Sequence, residues 1–199
     1  SVGRGQDTSY TVTNFTPIAR IDYRFSDSKQ LRIRYRGRTS QPSINQLMPV
    51  NDNSDPLYRV EGNPDLKPEF THSLSTNYQV NDRAKFSWFN MGLDMSYTQD
   101  DIVSKKYYTD EGVQISTYEN TGKAVYSING RVMYNAPIGK SNFTINTFTR
   151  AGYNNGISYV REQKNFVENE TKNLNIFQML RLTYRNDWAD IIAGGSVNY

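Results

Sequence analysis

Three features of this 199-residue sequence predict an all-β fold, an antiparallel meander of about eight long strands that forms a whole or partial transmembrane β-barrel. Polar and apolar residues alternate with period two along nearly the whole chain. The alternating runs are long, and the connections between them are short and long in strict turn. Alternation places successive side chains on opposite faces of a strand. Runs of roughly ten to thirteen residues exceed the soluble-protein mode of about 5–6 and match the ~9–11 that cross a bilayer at a tilt. Tight turns at one end and long loops at the other are the habit of membrane barrels, and a soluble meander has no reason to obey both rules.

The first strand shows Phe15, Pro17, Ala19, Ile21, Tyr23 and Phe25 against Thr16, Arg20, Asp22 and Arg24. The second is LRIRYRGRT, in which Leu31, Ile33 and Tyr35 oppose Arg32, Arg34, Arg36 and Arg38. Phe70, Leu74, Tyr78 and Val80 then oppose Thr71, Ser73, Ser75, Asn77 and Gln79, and Phe89, Met91, Leu93, Met95 and Tyr97 oppose Trp88, Asn90, Gly92, Asp94 and Ser96. Ala124, Tyr126, Ile128, Val132 and Tyr134 mark a fifth strand. Phe143, Ile145, Ala151 and Tyr153 mark a sixth, diluted by Thr147 and Thr149. Leu174, Ile176, Leu180, Leu182 and Tyr184 form the seventh, and Ala189, Ile191, Ala193, Val197 and Tyr199 the eighth. The short connections run from Ser26 to Gln30, Asn81 to Lys85, Ala136 to Lys140 and about Asn186 to Trp188. Long loops are expected at about 40–69, 100–121 and 154–172, the second with an extra hairpin from Tyr107 to Tyr118. Pro42, Pro49, Pro56, Pro64 and Pro68 fall in the first long loop, where they cannot break a ladder.

Composition agrees. Mean hydropathy is −0.75, yet Tyr 15, Phe 9 and Trp 2 are too many aromatics for disorder. A thin apolar skin over a wet interior reconciles the two. Without cysteine, disulfide scaffolds, thiol catalysis and cysteine-held metals are excluded. No run nears the ~20 apolar residues of a membrane helix. The N-terminal SVGRGQDTSY has no signal-type segment, so the chain is either intracellular or a mature or excised piece. A net charge of +3 without a binding motif gives no argument for nucleic acid.

Parity collects Arg20, Arg24, Arg32, Arg34, Arg36, Arg38, Arg131, Arg150, Arg181 and Arg185 on one face, against only Asp22 and Asp94 there. Most acids lie in the long loops. Arginine on lipid near the midplane costs ~2–4 kcal/mol, so a row of four must face the lumen. An even pairing sum in the first hairpin puts Asp22 across from Arg32 or Arg34 and leaves the other arginines facing like charge, which calls for water, acidic loops, an acidic neighbour or an anionic ligand. These arginines either line a solvated lumen or hold an anionic substrate, for which the guanidinium fork is suited. In a soluble sheet they would merely meet solvent. Outward aromatics (Tyr35, Phe70, Tyr78, Phe89, Tyr97, Tyr126, Tyr134, Phe143, Tyr153, Tyr184 and Tyr199) sit near strand ends, where membrane girdles place rings. Trp88, Phe148 and Phe177 point inward against that pattern.

Candidate chemistry is sparse, and no cofactor is expected. His72 shares the outward face with Phe70 and Leu74 near a rim, as an interfacial rather than a catalytic group. Asp52-Asn53-Ser54-Asp55 lacks the glycine and distal glutamate of a helical calcium loop and reads as a solvated loop. Gly62 to Glu69 reads as a turn leading back into the barrel, with Gly62 granting positive φ and Pro64 and Pro68 stiffening the approach; direct ligand contact is the other reading.

Ser40-Gln41-Pro42-Ser43, Gln46-Leu47, Asp55-Pro56 and above all Gly62-Asn63-Pro64-Asp65-Leu66-Lys67-Pro68-Glu69 resemble the barrel region of TonB-dependent receptors. The closest likeness is to their outer membrane beta-barrel family in Gram-negative bacteria. That resemblance implies a non-catalytic outer-membrane receptor that imports a scarce ligand, energised through TonB, by way of a barrel of ~22 strands holding a plug domain. Residues 1–199 would then be one segment of that barrel, with the lipid bilayer, the plug, TonB and an imported ligand, for which an anion is one class, as partners. The other class of reading is a soluble β-sandwich or small barrel that binds carbohydrate or protein through its tyrosines. A fragment would carry two unpaired edge strands, and would close as an eight-stranded barrel or bury its skin in an oligomer.

Overall fold

In a computed structural model the described residues are 14–48, 57–162 and 165–199. Pro49, Pro56, the Asp52 to Asp55 run and the N-terminal stretch lie outside them. The strands are β1 (Ile18–Ser26), β2 (Lys29–Ser40), β3 (Tyr58–Val60), β4 (Glu69–Asp82), β5 (Ser87–Gln99), β6 (Ile102–Tyr108), β7 (Gln114–Asn120), β8 (Val125–Pro137), β9 (Phe143–Glu162), β10 (Asn165–Arg185) and β11 (Asp190–Asn198), with one short helix, α1 (Ile44–Leu47). An 8-stranded sheet runs β1-β2-β4-β5-β8-β9-β10-β11, antiparallel throughout. The expected meander is therefore present in next-neighbour order. A smaller sheet, β3-β7-β6, contains a parallel pair, β3 with β7, outside the meander.

Register carries the alternation across the whole sheet. Ile21 pairs with Ile33, Ile33 with Thr76, Thr76 with Leu93, Leu93 with Gly130, Gly130 with Ala151 and Ala151 with Ile176, all on one face. One residue further on, Arg20, Arg34, Ser75, Asp94, Asn129, Gly152 and Asn175 form the corresponding polar row on the other. A slip of one residue in any pair would exchange the two faces, so the apolar row and the polar row each fix the register.

The third long loop differs from expectation. Residues 154–162 and 165–172 are not irregular: β9 and β10 stay paired up to Glu162 and Asn165. The ladder therefore continues roughly 30 Å beyond Tyr153 at ~3.4 Å per residue. Asn154, Asn155, Ser158, Glu168, Asn169 and Glu170 are polar on both faces, so this stretch lacks the period-two signal of a half-buried strand. The hairpin expected in the second loop is present as β6 and β7, longer than foreseen at both ends.

There is almost no core. Among the described residues the buried hydrophobics are Leu66, Ile115, Ala136 and Ile157. Every residue of β1 and β11 is exposed, and these strands end the hydrogen-bonded order without meeting. The smaller sheet meets the large one through β6 against β9, so the apolar face has no second sheet laid over it. A sandwich, the soluble alternative, would have one.

Candidate functional site: a two-faced membrane wall

On the apolar face, aromatic rings gather in two belts. Toward the long loops, Phe70 and His72 lie with ring centroids 4.7 Å apart, His72 and Tyr97 5.9 Å, and Tyr126 and Tyr153 5.9 Å. Toward the short turns, Tyr23 packs on Phe25, Phe25 on Tyr78, Tyr78 on Phe89, and Phe143 on Tyr184. Between the belts the face is Ile21, Ile33, Leu74, Leu93, Met95, Ile128, Val132 and Ile176. From Phe89 to Tyr97 is about 27 Å along the strand and from Phe143 to Tyr153 about 34 Å. A tilt of ~40° reduces these to about 20–26 Å of height, the scale of the ~25 Å apolar band of a membrane barrel.

Polar groups on this face satisfy each other. Tyr35 and His72 share a hydrogen bond of 2.9 Å between Oη and Nδ1. The Thr147 and Thr149 hydroxyls bond to the Gln178 amide at 2.8 and 2.6 Å. His72 thus packs among Phe70, Tyr97 and Tyr35, and the threonines that dilute the pattern cost little in an apolar medium because their bonds close locally.

The opposite face holds the arginines. Asp22 lies across from Arg32 and binds Arg20 closely and Arg32 at 3.7 Å. Arg131 donates to Asp94 Oδ2 at 2.7 Å, while the Ser75 hydroxyl takes Oδ1 at 2.5 Å. Arg185 donates to Asp190 at 2.6 Å, and by the same parity Asp190 is a third acid on this face beside Asp22 and Asp94. The expected series of like-charged pairs reduces to Arg20 across from Arg34, with Arg131 across from Arg150 as a second. Arg24 faces Gln30, and Arg32, Arg34, Arg36 and Arg38 face Asn77, Ser75, Ser73 and Thr71 on β4. Short neutral partners leave room for long cations to extend away from the sheet. Arg181 lies between Asn146 and Gly194. Phe148 and Phe177 meet at 5.8 Å with their rings tilted, and Met133 and Met179 lie across from Phe148, so these two inward aromatics form a local apolar island near the short turns, while Trp88 lies across from Asn81 and Asn135.

At the loop end, the Gly62 to Glu69 turn is bound to the β6–β7 hairpin. Asn63 Nδ2 donates to the Tyr118 carbonyl at 2.9 Å, and Asn63 Oδ1 accepts from the Asp65 amide at 3.0 Å. Asn120 Oδ1 accepts from the Lys67 amide at 2.8 Å, while its Nδ2 donates to the Lys67 and Asp100 carbonyls at 2.9 and 2.6 Å. Glu69 accepts from the Ile102 amide at 2.8 Å, and Leu66 is buried. Pro64 is exposed and Pro68 half-buried. Gly62 corrects the sequence reading: among the described glycines positive φ belongs to Gly112 and Gly139. A side chain at Gly62 would instead meet the Met48 backbone, whose N and O lie 2.7 Å from its Cβ position.

The protruding hairpin adds a second contact. Lys105 pairs with Glu119 and lies 4.4 Å from the Tyr159 ring centroid and 5.1 Å from that of Phe166. Burial lowers the Lys105 ammonium below its ordinary value. Burial, and then the hydrogen bond to Glu168 at 3.1 Å, raises the Tyr159 phenol above 10.0. The neutral phenol is the form the fold favours, so this contribution is present below pH 10.0 and lost as pH rises through the higher folded value. In a phenolate absorbance titration, the difference between wild type and Tyr159→Phe is expected to have its midpoint above 10.0; a midpoint at or below 10.0 would contradict the contact.

With these two faces established, comparison with known proteins identifies the fold family. The model of the outer membrane protein beta-barrel family matches residues 1–193. The chain belongs to this family. No curated protein and no solved structure matches it. Membership agrees with the all-β antiparallel sheet and places the chain in general terms in an outer membrane. Among the described residues, no group of His, Asp or Glu is arranged to hold a metal ion.

Proposed function

We propose that this chain is part of the wall of a Gram-negative outer-membrane receptor that imports a scarce ligand by TonB-linked uptake, binding and passing it without catalysis. The observation that carries this reading is the division of one eight-stranded sheet into a belted apolar face and an arginine-rich face. The resemblance of Gly62 to Glu69 to the receptor turn supports it. In the complete receptor, the free edges of β1 and β11 pair with further strands. A plug domain or the ligand then meets the cations that the inner acids leave unmatched.

Two measurements test this. In whole cells, Ser73→Cys on the polar face is expected to react with a membrane-impermeant maleimide, and Thr76→Cys, between Ile33 and Leu93 on the apolar face, only with a lipid-soluble one. Separately, deletion of the gene and deletion of TonB are expected to abolish depletion of the same compound from the medium. If the two deletions share no such compound, TonB-linked uptake is wrong for this chain, whatever the labelling shows.

A further inference from the structure

The polar face contains a cleft of about 210 Å³ walled by Arg32, Arg34, Ser75, Asn77 and Arg131. Its three guanidiniums are unequally matched. Arg131 is held by Asp94, whose other oxygen is taken by Ser75, so Asp94 has little left for a second cation. Arg32 gives one N–H to Gln30 at 3.1 Å, stands 3.7 Å from an Asp22 already bound by Arg20, and keeps a buried Nε with no hydrogen-bond partner. Arg34 makes no ion pair and no side-chain hydrogen bond among the described residues, and it lies across the ladder from Arg20.

From this geometry we infer a binding site for a multiply charged oxyanion, of which a phosphate monoester dianion is the simplest, with Arg32 and Arg34 as its principal donors. The inference rests on the reading that the arginine face lines an aqueous lumen. Guanidinium forks match the paired oxygens of phosphate, and hydrogen bonds between charged partners are about twice as strong as neutral ones. An oxyanion in the cleft also relieves the repulsion between Arg20 and Arg34, which a neutral ligand cannot do. Asp94 acts as a positioning residue, holding the Arg131 guanidinium at the cleft wall.

The probe is inorganic phosphate, measured by equilibrium dialysis against the full chain reconstituted in phosphatidylcholine vesicles at low ionic strength. Binding is expected to be saturable near one phosphate per chain. Arg34→Ala and Arg32→Ala are each expected to weaken it about tenfold or more, and Arg34→Lys, which keeps the charge and loses the fork, by less. Arg83→Ala removes the same charge at a short turn outside the cleft and is expected to change affinity less than about twofold. Non-saturable binding, or an equal loss in Arg83→Ala, overturns the site, because a diffuse field then explains the attraction. If Ser73→Cys is labelled by the impermeant reagent while phosphate does not bind, the site alone falls. If Ser73→Cys stays unlabelled, the lumen reading falls and takes the site with it.

Discussion

Leu93→Arg is expected to cost about 2–4 kcal/mol of folding free energy in a bilayer, a roughly 30- to 700-fold loss in the folded-to-unfolded ratio. Leu93 lies midway between Phe89 and Tyr97, in the row shared with Ile33, Thr76, Gly130 and Ala151. A guanidinium there has hydrocarbon on every side and no acid within reach on its own face. Asn129→Arg, one row away on the other face, is the matched control and is expected to cost well under 1 kcal/mol, since its charge enters water on the polar side of the sheet. Phe143→Arg, at the belt beside the short turns, is expected to fall between them at ~0–1 kcal/mol because the penalty fades toward the interface. Urea titration of the chain folded into vesicles measures all three. If Leu93→Arg were as mild as Asn129→Arg, the apolar face would not face lipid, whatever its aromatic belts suggest.

The sequence showed the membrane-crossing part of the fold because a two-faced environment imposes a two-faced pattern. Where one side of a strand meets hydrocarbon and the other water, period two is a physical requirement, and six of the eight strands of the large sheet were legible to within a few residues at both ends, β9 and β10 only at the ends beside their short turns. The same parity foretold that Asp22 would lie across from Arg32 or Arg34. The upper reaches of β9 and β10 escaped notice for the complementary reason. Beyond Tyr153 and Leu174 the strands leave the belted apolar face: Ile157 is buried and Tyr159 and Phe166 lie near Lys105 of the β6–β7 hairpin, while Asn154, Ser158 and Asn169 interrupt the alternation, so the ladder is held by backbone bonds and contacts such as Lys105 over Tyr159.

The candidate site was legible unevenly. Which arginines share a face follows from parity, and so do the acids near them, Asp190 included. Which arginine each acid binds does not, because that depends on side-chain reach across the ladder: Asp22 binds Arg20, two residues away on its own strand, more closely than the opposing Arg32. Gly62 shows the limit from another side. Sequence suggests the backbone freedom of glycine as the reason for it, whereas the packing of Met48 requires only its small size.

Asn120→Ala is expected to release the Gly62 to Glu69 turn from the β6–β7 hairpin at a local cost of about 2 kcal/mol. Three hydrogen bonds are lost, each worth ~0.5–1.5 kcal/mol net, and the site is partly open to water. In hydrogen exchange, protection of the Lys67 and Ile102 amides, bound to Asn120 and Glu69, is expected to fall roughly 30-fold. The urea midpoint of the large sheet should stay where it is, because its ladders and lipid face are untouched. Gly62→Val should give the same exchange signature by a different route, pushing the turn off the Met48 backbone instead of removing its anchor. Unchanged protection at Ile102 in both variants would show that loop and hairpin are not energetically joined, and would return the turn to the ligand-contact reading. The present bonds argue the other way. Asn63 uses its Nδ2 on Tyr118 and its Oδ1 on the Asp65 amide, and Glu69 caps the Ile102 amide, so Asn63 and Glu69 are committed to holding the turn in place.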